Sequence, residues 1–158
     1  MHISESSLKK VPLKSYTRAP EISAGSILFE STSSRTPGLL ITEMVKAEAS
    51  RLVQQADDVV IQGLPKMKLY VSWPGYTSHS ITAPIDCTKI TRADLATAVS
   101  CHLVNFVQKM NSLPVQFNSS EWRIGRGGVS LNNIVLTALY NTGGDYWQPE
   151  LELLDREA

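Results

Sequence analysis

Long hydrophobic runs are missing from this chain, and so is any surplus of charge. None of its apolar stretches approaches the roughly 18 residues that a membrane-spanning helix needs, so membrane insertion is not expected. Fifteen lysines and arginines are matched by fifteen aspartates and glutamates, which argues against a dedicated nucleic-acid or membrane-surface protein. Cysteine is scarce. Only Cys87 and Cys101 occur, too few for a disulfide framework. Lys9, Lys10 and Lys14 are not followed by an apolar segment, so the start does not read as a secretory signal. Together these absences point to a reducing, intracellular and cytoplasmic setting.

Catalytic signatures are absent too. There is no Gly-x-Ser-x-Gly elbow, no His-Glu-x-x-His and no Gly-x-Gly-x-x-Gly. His2, His79 and His102 are scattered, and a metal site needs three or four ligands at suitable spacing, so neither metal nor cofactor is expected. Asp57-Asp58 is an acidic doublet, but it lies at an expected helix end, where exposed capping is the simpler role.

What the chain does have is 42% apolar residues, enough for a real core in one domain. The strongest signal runs from Lys68 to Met110. Leu69, Val71 and Trp73 alternate with Tyr70, Pro74-Gly75 is turn punctuation, and Ile81, Ala83 and Ile85 alternate in turn. Leu95, Ala98, Val99, Leu103, Phe106, Val107 and Met110 then recur at helical steps. Thr91 with Asp94 three residues later makes a capping-box pattern. Asn111 can take a left-handed cap, and Pro114 prevents a restart. Arg92 is poorly placed so close to the positive end of a helix, whereas Lys109 suits the negative end.

On either side of this block the signals are weaker. Residues 1–36 read as a Ser-, Thr- and Pro-rich tail with a short strand at Ser26–Phe29, and residues 37–158 as the globular domain. Pro37 at a first helical position, followed by periodic Leu40, Met44, Val45, Ala49, Leu52 and Val53, predicts a second helix from Leu39 to Asp57. Val59–Ile61 and Val115–Phe117 read as short extended pieces, and Ser130 as the cap of a single helical turn. Val135–Tyr140 fits strand or helix; the Thr142-Gly-Gly-Asp145 turn and alternating Trp147–Leu153 favour a strand–turn–strand, with Pro149 confining the last strand to an edge. The fold class expected is α+β: a β-grasp-like ββαββ unit with an additional N-terminal helix.

Ile90-Thr-Arg-Ala-Asp-Leu-Ala, Trp122-Arg-Ile-Gly and Trp147-Gln-Pro-Glu-Leu loosely resemble uncharacterised intracellular proteins of mushroom-forming fungi. The resemblance covers about the C-terminal half and implies no activity.

Two functional readings follow from the residues. The leading one is a non-catalytic module that associates with another protein or with itself. The basic tail from Lys9 to Arg18 would cross to the acidic C-terminal strand of a neighbour in a homo-oligomer. The alternative is a small enzyme or anionic-ligand binder using Arg123, Arg126 and His102, with Gly127 and Gly128 letting the backbone approach the anion. The plainer role for that segment is a glycine turn anchored by Trp122. Cys101 beside His102 suggests thiol chemistry, yet neighbouring helical residues diverge by about 100° and do not face each other.

Overall fold

The computed structural model describes residues 8–12, 25–33, 38–125 and 127–154. Within them the chain is mixed α+β: one seven-stranded sheet and few helices. The strands are β1 (Leu8–Lys10), β2 (Ser26–Leu28), β3 (Leu39–Leu40), β4 (Lys66–Val71), β5 (Ile81–Asp86), β6 (Ile134–Gly143) and β7 (Tyr146–Leu154). The long helix α2 (Arg92–Met110) follows a single-turn α1 (Ile41–Met44).

Across the sheet the order is β2-β6-β7-β4-β5. β4 and β5 form an antiparallel hairpin, as do β6 and β7, and β7 runs parallel to β4 at Lys68–Tyr146 and Leu69–Trp147. Burial alternates along β4, where Met67, Leu69 and Val71 face the core while Lys66 and Lys68 face water. The helix presents Leu95, Ala96, Val99, Leu103, Phe106, Val107 and Met110 to the same core. Thr91 caps it as expected, its hydroxyl accepting from the Asp94 amide at 3.2 Å. Asn111 does not take the left-handed cap; it stays right-handed and continues the last helical hydrogen bond to Val107.

The helix expected from Leu39 to Asp57 is not continuous. Leu39 and Leu40 are drawn onto β6 as β3, one turn of helix follows, and a 3-10 turn occupies Ala49–Leu52. Ile41, Met44, Ala49 and Val53 are buried, but Leu40 and Leu52 are only half-buried and Val45, counted on the same apolar face, is 41% exposed. Glu48 and Gln55, at φ 63° and 55°, turn the chain left-handed and break the helix between and after them. The proposed helix start at Thr36-Pro37 lies outside the described residues.

Pro149 does not mark an edge. β7 is interior, with β6 along one side and, on the other, β4 beside Tyr146–Trp147 and β1 beside Glu152–Leu154. The Val11 amide donates to the Leu151 carbonyl at 3.0 Å, so β1's hydrogen bonding begins just after Pro149. The proline, which has no N–H to give, fills the gap between the two neighbours. Likewise, β1 pairs with the acidic C-terminal strand of its own chain, where Lys10 lies 3.6 Å from Glu150, while Lys9 lies 3.2 Å from Glu121 in the 3-10 turn Phe117–Trp122. Lys14 and Arg18 are outside the described residues.

Candidate functional site

Arg92 breaks a local rule at the first position of α2, and its surroundings explain why. The guanidinium turns back across the helix start. Nε donates to the Leu28 carbonyl at 3.2 Å, and Nη1 meets the Gln55 carbonyl at 3.3 Å, Gln55 Oε1 at 3.4 Å and Asp58 Oδ2 at 3.2 Å. Asp58 is 60% exposed against 18% for Arg92, so screening leaves the ion pair worth little and the carbonyl bonds carry the contact. Gln55 occupies the left-handed region, a cost of about 1 kcal/mol, and both of its oxygens reach the arginine. Backbone reinforces the arrangement: the amides of Arg92 and Ala93 donate to the Asp58 and Ala56 carbonyls at 2.8 and 3.0 Å. Two orphan donors of the helix start are thereby satisfied by the preceding loop.

Around Arg92 opens a polar cleft of about 720 Å³, with β2 as one wall and the extended residues 58–62 as the other. Glu30, Gln54, Gln55, Asp58 and Gln62 supply its polar lining. Its two exposed apolar side chains, Leu28 at 58% and Val59 at 45%, are large and solvent-facing. Among the described residues, two carboxylates against one guanidinium give the cleft lining a formal charge of −1 (Glu30 and Asp58 against Arg92).

Among the described residues, nothing pairs with the β2 backbone on this wall at Ser26. Asn141 donates to the Gly25 carbonyl and Phe29 donates to the Thr137 carbonyl, so the odd-numbered residues face β6. Strand geometry then turns the amides and carbonyls of Ser26 and Leu28 away from β6. Arg92 takes the Leu28 carbonyl. The Ser26 amide and carbonyl and the Leu28 amide are left on the outer edge.

The residues expected to form a site are distributed differently. Arg126 lies outside the described residues. Arg123 is exposed, and Gly127 lines a cavity of about 420 Å³ with Asn111, Ile124 and Gly125. His102 lines a different groove, so the two halves of the expected anion site do not share a cavity. Within the glycine loop Gly128 donates to the Gly125 carbonyl, Val129 to Arg123 and Gly125 to Val129 at 2.6–3.0 Å. Those amides close the loop on itself. A side chain at Gly128 would place Cβ 2.1 Å from the Arg123 carbonyl oxygen, and Gly125 at φ 115° packs against Asn111. Trp122 is buried, its carbonyl accepting from Trp73 Nε1 at 2.8 Å, while Tyr76 Oη accepts from the Ile124 amide at 3.1 Å.

Cys101 is exposed and Cys87 buried, both as free thiols. Burial pushes the Cys87 thiol up from its ordinary value, which makes it a poor nucleophile. Among the described residues no three His, Cys, Asp or Glu side chains are grouped to hold a metal, and no helix is long and apolar enough to cross a membrane. No protein-family model, curated protein or solved structure matches this chain.

Sequence reasoning missed the Arg92 cleft. One signal was available: a cation at a helix start is unfavourable unless something else holds it.

Proposed function

We propose that this chain is a non-catalytic protein-interaction module that accepts an extended, basic segment of a partner protein along the open edge of β2. The observation that carries the reading is the outward-facing backbone of Ser26 and Leu28 beside a cleft of formal charge −1. An added strand gains affinity from main-chain hydrogen bonds and specificity from alternate side-chain positions. The other edges are guarded. β5 carries Pro84, β1 carries Lys9 and Lys10, and β3 is only two residues long. Leu28 and Val59 offer apolar contact, and Glu30 and Asp58 favour lysine or arginine on the incoming strand.

A second copy fits this edge less well, because it would bring the same carboxylates face to face. The unit from β4 to β7 is read as β-grasp-like, and its setting as intracellular and cytoplasmic, consistent with the unpaired thiols.

The test is an amide-resolved NMR titration with a blocked hexapeptide of alternating lysine and valine. Shifts are expected at residues 26–30 and 54–62, weakening as salt is raised. Leu28→Pro removes one outward amide without touching the β6 ladder, and it should weaken binding. Equal binding by an alternating glutamate–valine peptide, or shifts confined to β5, would overturn the reading.

A further inference from the structure

A second groove has a geometric origin. At about 1.5 Å per residue the 19 residues of α2 span roughly 28 Å, while the six residues of β5 cover roughly 20 Å. β5 leads back into α2, so its first residue, Ile81, lies towards the helix C-terminus. There the helix runs past the end of the edge strand. The uncovered length is a groove of about 580 Å³.

Its chemistry is divided by height. Phe106 and Met110 are buried in the floor, with Ile81 and Leu113 partly exposed beside them. At the rim stand His79 from the turn before β5 and His102, Asn105 and Lys109 from one face of α2 at steps of three and four. Among the described residues no carboxylate lines this groove. Among the described residues Lys109 forms no ion pair, and the side chains of His79 and His102 make no hydrogen bond. An apolar trough under a rim of donors and one unpaired ammonium complements a molecule that is apolar at one end and anionic at the other. Its volume lies within the range of small-molecule pockets, about 300–1,000 Å³.

We infer that this groove binds a free medium-chain carboxylate, with the alkyl chain laid over Phe106 and Met110 and the carboxylate held by Lys109 with His102. The negative end of the α2 dipole partly offsets Lys109, but its half charge is spread over the last turn, whereas a carboxylate can contact the ammonium directly. The site is separate from the β2 cleft and shares no lining residue with it.

Octanoate below its micelle concentration and 1-octanol, the uncharged equivalent, distinguish the parts of this assignment. Isothermal titration with NMR mapping on the full chain should place octanoate at His79, Ile81, His102 and Leu113. Octanoate should bind at least tenfold more tightly than octanol. The double variant His102→Gln/Lys109→Gln, at a half-exposed and an exposed position, should remove that preference, bringing octanoate down to the affinity of octanol while the NMR spectrum still reports the folded chain. Equal affinity for the two probes would overturn the assignment, as would an unaltered preference in the double variant. Shifts mapping elsewhere, or binding to phosphatidylserine vesicles without any response to octanoate, would overturn it too.

Discussion

Arg92 and Asp58 lie 34 positions apart, yet their side chains meet at 3.2 Å in a contact that ties β2, the loop before β4 and the first turn of α2 together. Because the arginine also holds the Leu28 and Gln55 carbonyls, it acts as a brace more than as half of an ion pair. Arg92→Ala should therefore cost about 2 kcal/mol, the range for hydrogen bonds to a charged group. Asp58→Ala should cost under about 1 kcal/mol. Urea unfolding of the two variants measures both; equal losses would show that the ion pair dominates after all.

Phe106 is 2% exposed on the core face of α2. Its truncation to alanine should destabilise by roughly 3–5 kcal/mol, as for other large buried aromatics. A loss below about 1 kcal/mol in chemical denaturation would contradict its core placement.

At Gly128, alanine would drive Cβ into the Arg123 carbonyl, so the loop must open. The expected loss is about 1–3 kcal/mol, the usual scale of local backbone strain. Comparing the melting curves of the variant and the parent chain checks this.

The cysteines should differ in reactivity. Under native conditions one thiol, Cys101, should react with an alkylating reagent, and Cys87 only after denaturation. The sign of the pH effect follows from the same burial. Cys87's folded pKa is raised, so its contribution is fully present below the unfolded thiol value, near 9.0, and is lost as pH rises beyond it. Cys87→Ala should flatten the decline in stability on the alkaline side.

Removing residues 1–12 strips β1 from Glu152–Leu154 and leaves that half of β7 open. Exposed strand edges recruit other chains. The truncated protein is therefore expected to self-associate more than the full chain, which light scattering can follow. A truncated form that stays as monodisperse as the full chain would contradict this.

The parts legible in the sequence were those set by neighbours along the chain. α2, its Thr91 cap, the Ser130 turn and the β4–β5 hairpin all follow from local period and capping chemistry. The glycine turn and its buried Trp122 anchor were legible for the same reason. Side-chain period says which face is buried but not which strand lies alongside, so the parallel β4–β7 pairing and the placement of β1 were beyond reach. Leu39–Asp57 shows the other limit. Its apolar spacing suits a helix, but β6 and two left-handed residues win over weak helical propensity. The Arg92 cleft depends on β2 and the 54–62 loop arriving at a helix start from far along the chain, which no window of sequence contains.

The pairing of Leu8 with Leu154 has a temporal meaning as well. β1 leaves the ribosome long before β7, and its place in the sheet exists only once Glu152–Leu154 have been made. Closing so long a loop is entropically expensive and slow compared with forming the hairpins. During synthesis, Lys9 and Lys10 keep this waiting strand charged and in water, so the last seam of the sheet to close is also the one least prone to stick early.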